Sequence, residues 1–479
     1  MIDTKIIRNR ILFLALKGEL AEQNSKDAPA IDLIDEVCRK MAGRAFEPDF
    51  SVDEVPYDLP SSWSWCRLSD IGSTNIGLTY HPDDITENGV IVARSSNIVN
   101  GKMDYSDLVR VSCNIRENQY LNNNDILICA RNGSKALIGK CAIYEGDPKS
   151  IAFGAFMAAF RTPLFRYVYY YFNSDVFRRN FISDDSKQIN QVTQNILKQS
   201  LIPIPPLEEQ KRIVKRIEAI FKILDKIDAL QNRYASNQEA LKNKLIDAAI
   251  QGKLTEQLPE DGTAEELYET ISGKKKEMQK RKVIKNSKPL PEISEDEMPF
   301  EIPSNWKWVH LDDITTKIAS GSTPTGGRKS NAYVESGNCF FREQNIYNDG
   351  IHQEGMVYIT DELLSTRKNS TVIAKDILLN ITGGSIGRCT LIPDDFGKGS
   401  INQHILIIRM VDDCSRFYVH KLLCSPYAQR YIKEKSVGDK DGFSGGRCKQ
   451  MLIPFPPLAE QRRIVEIIDN VLETFNRAI

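Results

Sequence analysis

Downstream of Pro205-Pro206, apolar residues fall at Ile213, Ile217, Ile220, Leu224 and Ile227, in alternating steps of four and three. That spacing lines them along one seam of an α-helix. The same step continues through Gln231, Tyr234, Gln238, Leu241, Leu245 and Ala248, so the seam has a polar middle. The prolines suit a first helical turn, where a missing N–H costs no bond, and Glu208 and Glu209 favour the positive end of the helix dipole. Gly252 is a natural C-terminal stop. The pattern predicts one helix over 207–252, about 65–70 Å long at 1.5 Å per residue. A second seam, at Ile464, Ile468, Val471, Phe475 and Ala478, predicts a helix over 458–479. A third, at Ile7, Ile11 and Leu14, predicts one over 1–18.

Elsewhere the period changes. Segments 56–206 and 299–457 carry short β-rich runs between Gly, Asn and Asp turns, such as Gly89–Ala93, Asp125–Cys129, Ile377–Ile381 and His404–Arg409. Each segment then has a helical patch, 165–182 and 415–434. Stretches 19–55 and 253–298 are expected to be linkers, the second of them charged, with a lysine-rich run over 273–282.

The chain repeats itself. Residues 8–23 align with 242–257 without a gap. Leu59-Pro-Ser-Ser-Trp-Ser-Trp-Cys-Arg-Leu68 aligns with Ile302-Pro-Ser-Asn-Trp-Lys-Trp-Val-His-Leu311. Leu201-Ile-Pro-Ile-Pro-Pro-Leu-Glu-Glu-Gln-Lys-Arg-Ile-Val214 aligns with 452–465. Three such matches in order mark a duplication. Between the second and third blocks the copies diverge, leaving echoes: Arg94 and Asn97 against Arg342 and Asn345, Asn124–Leu127 against Lys375–Leu378, and Ile138–Cys141 against Ile386–Cys389. A constant frame with different contents suits a protein that reads two different things. In this register the N-terminal helix takes up where the C-terminal helix stops. The expected architecture is therefore α+β: two similar globular domains joined by an antiparallel pair of long coiled-coil helices, pseudo-twofold, with circular closure of the N- and C-terminal helices.

Composition removes several classes. With 41% hydrophobic and 27% charged residues the chain has the balance of a soluble globular protein. The expected location is cytoplasmic, because no secretory signal is legible at the N-terminus. The ten cysteines form no C-x-x-C pair and the five histidines are scattered, so no metal site is expected. There is no nucleophile elbow, H-E-x-x-H or Walker A, nor an Asn/Asp-Pro-Pro-aromatic tetrapeptide. No catalytic residue is expected. The net charge of −1 leaves any basic surface local or shared with partners.

Polar loops supply the candidate DNA contacts. Arg and Lys match guanine O6/N7, and Asn and Gln match adenine N6/N7. In the first segment the candidates are Arg94, Asn97, Arg131, Lys135, Lys187, Gln188, Asn190 and Gln191. In the second they are Ser322, Thr323, Arg328, Lys329, Arg342, Gln344, Asn345, Arg388 and Arg447.

The doubled Pro-x-Pro-Pro-Leu-x-Glu-Gln-x-x-Ile-Val start (203–214, 454–465), the doubled Pro-x-x-Trp-x-Trp (60–65, 303–308) and Gly-Ser-Thr-Pro at 321–324 together resemble the specificity subunit of type I restriction–modification systems, over essentially the whole chain. That resemblance implies two target-recognition domains (56–206 and 299–457), each reading half of a split site in double-stranded DNA. It implies helices that set the spacer and dock two adenine-N6 methyltransferase subunits, with endonuclease–translocase subunits completing the complex. It implies no cofactor in this chain: S-adenosylmethionine and ATP/Mg belong to the partners. Three alternatives remain at this point: the recognition subunit of a related system that cuts on both sides of its site, a methyltransferase or nuclease in its own right, or a coiled-coil interaction scaffold.

Overall fold

The computed structural model describes residues 1–181, 191–286, 289–324, 332–436 and 442–477. The predicted long helix is present as Leu207–Ile250, 44 residues, and Gly252 follows it at φ +71°. The chain divides inside this helix into two units, Met1–Asn232 and Arg233–Ile479. The boundary lies where the repeat register puts it, so each unit holds one complete copy of the frame, beginning and ending in helix.

In the first unit, helix Thr4–Leu16 lies antiparallel to the start of the long helix. Thr4 Oγ1 donates to Asp228 Oδ1 at 2.6 Å, and Arg8 Nη2 donates to Asp225 and Asp228 at 2.8 and 3.0 Å. The backbone N–H of Ile2 donates to Gln231 Oε1 at 2.6 Å. The seam is apolar where expected at Ile213, Ile217 and Leu224, all buried, while Ile220 and Ile227 are half-buried. On the N-terminal helix the seam positions Ile7, Ile11 and Leu14 are only half-buried; the interior residues are Leu12, Ala15 and Leu16. The cause is a second neighbour. The same helix also packs on the globular part, where Tyr57 Oη donates to Leu16 O and the Phe13 and Tyr57 rings meet edge to face. Its buried face is therefore wider than a two-helix seam. In the second unit Ile464 and Ile468 are buried and Val471 half-buried, in the same core as Ile246, Ala249 and Ile250. Tyr234 and Leu241 are exposed, so the seam does not pass through them.

The expected linkers are partly helical. Ala30–Ala42 and Ala264–Lys280 each plug an apolar face into the core of their unit, through Ile34 and Val37 in one and Ile271 in the other. Both are docked alike: Ala30 N donates to Ser62 O and Ala264 N to Asn305 O, both at 2.9 Å. Part of the lysine run is structural, since the half-buried Lys275 pairs with Asp312.

Each globular part is α+β, and its first sheet has the same spatial order in both units. Strands Ser73–Ile76, Met157–Arg161, Ile126–Cys129 and Cys141–Ile143 lie side by side, antiparallel. Their counterparts are Thr315–Ser320, Ile405–Met410, Ile377–Asn380 and Cys389–Leu391. A second sheet pairs Ile85–Ala93 parallel to Ile151–Phe153, and Asn338–Phe341 parallel to Lys398–Ile401. The second unit adds strand Thr371–Ile373 on its edge. Helices Phe165–Phe172 and Arg416–Cys424 cover the first sheets, as the helical patches predicted.

Candidate nucleic-acid interface

The repeated motifs prove to be partners of one another. Strand Ser64–Arg67 pairs antiparallel with Leu201–Ile204, and Lys307–His310 pairs with Leu452–Phe455 in the same register. Trp63 Nε1 donates to Glu209 Oε2 at 3.0 Å, and Trp306 Nε1 to Glu460 Oε2 at 2.8 Å. Gln210 Nε2 donates to Pro205 O, and Gln461 Nε2 to Pro456 O, both at 2.9 Å. Arg212 holds Asp27 and the carbonyl of Glu22; Arg463 holds Asp261 and the carbonyl of Glu256. A Cβ on Gly18 would stand 2.6 Å from Pro60, and one on Gly252 2.7 Å from Pro303, so both turns require glycine beside the repeated proline. These residues build a mount for the sheets.

The loops on that mount gather the polar candidates. In the first unit Arg131 and Lys135 are exposed in the loop after strand Ile126–Cys129. Asn132 Nδ2 donates to Ser95 Oγ at 3.0 Å, tying that loop to the turn that begins at Arg94. Val192 N donates to Ala130 O at 2.9 Å, which brings Gln191 alongside. Ala130 N and Arg131 N both donate to Phe156 O, so an aromatic side chain that is 61% exposed stands beside the cationic loop. Phe156 was not among the expected site residues. Its only sequence signal is a large apolar residue in a strand-linking turn, which a solvent-facing aromatic for base stacking shares with ordinary core residues.

The second unit gathers the corresponding loops with different residues. His404 takes the place of Phe156: Ile381 N donates to its carbonyl at 2.9 Å, and its Nδ1 lies 2.6 Å from Thr382 Oγ1. Thr323 is hydrogen-bonded to Gln403, and Ser322 accepts from Arg367 through its carbonyl. Asn380 Nδ2 donates to Glu343 O at 2.8 Å and to Ser385 Oγ at 3.2 Å, joining loop 382–388 to the turn that holds Gln344, which is exposed. Arg388 stacks over the Tyr347 ring at 4.4 Å, and Tyr347 stacks on His352 with centroids 3.9 Å apart. Arg447 is half-buried and donates to Gly442 O. Lys187, Gln188, Asn190, Arg328 and Lys329 lie outside the described residues.

Two expected base readers belong to the interior instead. Asn97 is 1% exposed and Asn345 0%. Each Oδ1 accepts the backbone N–H of the arginine three residues earlier, at 2.8 and 3.1 Å. Each Nδ2 bridges two backbone carbonyls, Asp104 and Asp107 in one unit and His352 and Glu354 in the other. An amide spent in this way has no donor left for a base edge. The echo Arg-x-x-Asn is a turn lock. Its arginines are partly committed as well, Arg94 to Asp107 at 2.8 Å and Arg342 to the carbonyl of Gly355.

The family model for the type I restriction modification DNA specificity domain matches residues 60–233 and again 303–479. The chain belongs to that family. Both matches take in the Trp motif and the start of the following helix, which are the mount described above. The type I restriction enzyme EcoAI specificity subunit of Escherichia coli is 23% identical, covering 99% of this chain and 90% of that one. The EcoKI specificity subunit of Escherichia coli strain K12 is 24% identical, over 86% and 82%. In fold, the chain matches a solved structure from work on complex assembly and conformational transition of the type I R-M system, with TM-score 0.58, 18% identity, and 88% and 93% of the two chains covered. As a specificity subunit the chain is a non-catalytic DNA-recognition component. Among the described residues no helix is long and apolar enough to cross a membrane.

Proposed function

We propose that each unit reads one half of an asymmetric bipartite DNA site, with the helices setting the unread spacer and docking two adenine-N6 methyltransferase subunits. The observation that carries this reading is the contrast within each unit: the mount repeats its strand pairing and its Trp–Glu, Gln–carbonyl and Arg–Asp bonds, while the loops it presents differ. Matching mounts give two readers one way of meeting DNA, and unlike loops give them different half-sites. Arg131, Lys135, Gln191 and Phe156 are the proposed contacts of the first reader. Ser322, Thr323, Gln344, Arg388, Arg447 and His404 are those of the second. Phosphate contacts position each reader and base contacts specify. S-adenosylmethionine, and ATP with Mg, act on the methyltransferase and endonuclease–translocase partners. A chain of net charge −1 borrows part of its DNA affinity from them.

The proposal includes closure of the helices at the chain ends, which puts residues 1 and 479 within about 20 Å of each other, since a gap of roughly six helical residues spans only about 9 Å. Paired spin labels at the two ends measure that distance, and a longer one rejects closure. Mapping adenine methylation in a host with and without this gene tests the function itself. Loss of a bipartite motif on deletion is expected; an unchanged methylome rejects it. Inserting one heptad between Gln231 and Gln238 should lengthen the spacer and leave both half-sites intact.

A further inference from the structure

Cys389, His420 and Cys424 are far apart in sequence, yet one ligand atom from each lies within 4.8 Å of the others. Cys389 opens strand Cys389–Leu391; His420 and Cys424 stand one turn apart near the end of helix Arg416–Cys424. The two thiols are held only by long sulfur contacts, while the imidazole reaches one backbone carbonyl. Cys424 Sγ is 3.7 Å from His420 Nε2 and 4.0 Å from Cys389 O, and His420 Nε2 is 3.2 Å from Cys389 O. His420 is 6% exposed, and its Nδ1 has no partner among the described residues.

The first unit supplies an internal control. The same frame positions there hold Cys141, Tyr169 and Asn173. Asn173 Nδ2 closes that cluster by donating to Cys141 Sγ at 3.1 Å. The second unit keeps the cysteine but replaces the phenol and the amide by an imidazole and a second thiol. A neutral hydrogen-bonded plug is exchanged for three metal ligands on the same scaffold.

We infer that Cys389, His420 and Cys424 bind one thiophilic d10 cation, Zn2+ or Cu+. Metal–sulfur distances of about 2.3 Å and metal–nitrogen distances of about 2.0–2.1 Å require the three atoms to close in by less than the width of an atom. With Zn2+ both thiols release their protons to solvent and the imidazole contributes a lone pair. The dication then meets two thiolates, and the buried group carries no net charge. Soft thiolate ligands select Zn2+ and Cu+ over Mg2+ or Ca2+. The cation clamps the helix to the strand that begins directly after Arg388, so it fixes the base of loop 382–388 in the second unit only.

The test uses the full-length chain, stripped of metal under reducing conditions and titrated separately with Zn2+ and, in a competition assay, with Cu+. One equivalent of either cation is expected, and which one binds more tightly identifies it. Cys424→Asn and His420→Tyr install the residues the first unit carries at these positions, and each should weaken binding at least tenfold. Cys141→Ser should leave it unchanged. Should either variant fail to fold, the unmutated chain still decides: bound cation should slow alkylation of Cys389 and Cys424 in mild denaturant and leave Cys141 unprotected. No stoichiometric binding, full binding by folded Cys424→Asn, or equal alkylation of the three cysteines with and without metal overturns the inference.

Discussion

Glu209 and Glu460 occupy the same position in the two units and are held differently. Both are buried, and both accept from the repeated tryptophan. Glu460 Oε1 also accepts from Thr255 Oγ1 at 2.7 Å and from Gln257 Nε2 at 2.8 Å. In the first unit alanine stands where Thr255 stands, and Gln23 keeps the bond to the Gly18 carbonyl that Gln257 makes to Gly252, without the second bond to the glutamate. Glu209 Oε1 therefore has no hydrogen-bond partner among the described residues. Burial consequently raises the Glu209 carboxyl above its ordinary value. A duplicated mount is thus not equally finished in its two copies, and small differences in partner count decide where it is weak.

The largest effect that can break this comparison is removal of the tryptophan. Trp63→Phe strips Glu209 of its remaining side-chain partner and should cost about 1–3 kcal/mol in denaturant unfolding. Trp306→Phe leaves Glu460 with two donors and should cost clearly less. Equal losses would mean that packing of the rings, not the carboxylate, governs the joint. Asn97→Ala should cost a similar amount of stability, because two carbonyls and the Arg94 N–H lose their partner together. Arg131→Ala, by contrast, should leave stability unchanged and lower the salt slope of DNA binding by the assembled complex by about 1. Urea melts beside salt-dependent binding curves separate an interior amide from a surface cation.

Smaller effects sharpen the comparison. Ala21→Thr offers Glu209 the hydroxyl that Glu460 already has, and should stabilise the first unit by about 0.5–1.5 kcal/mol; Thr255→Ala should cost the second a similar amount. The smallest expected signal is in pH. A carboxyl raised on folding holds its proton more tightly in the native state, so its contribution is complete below the unfolded value near 4.5 and is lost as pH rises through the folded value. Glu209→Gln should remove that decline from the stability–pH profile. A profile that declines equally in Glu209→Gln assigns it to another group.

What could be read from the chain alone follows from how each residue is held. Trp63, Gly18, Pro60, Gln210 and Arg212 recur because each partner recurs, so the duplication and the α+β frame are legible in the sequence. Asn97 and Asn345 read as base contacts in the sequence because an amide that bridges backbone carbonyls and one that faces a base leave the same letter in the same polar run. Helices Ala30–Ala42 and Ala264–Lys280 read as linkers in the sequence because their buried residues are few and lie among charges. Cys389, His420 and Cys424 carry no spacing signal, since only the packing of helix on strand brings them together. Phe156 was invisible for the opposite reason: its exposure is a property of the turn, not of the residue.

The central claim is that mount and reader are separable. Methylome sequencing of a host expressing the complex tests it most directly, using a chain whose first-unit segment 73–199 is exchanged for the matching segment of the EcoAI specificity subunit while both mounts are kept. The account predicts that one half-site changes, and that the other half-site and the spacer stay as they were. A change in both half-sites, or in the spacer, would contradict it.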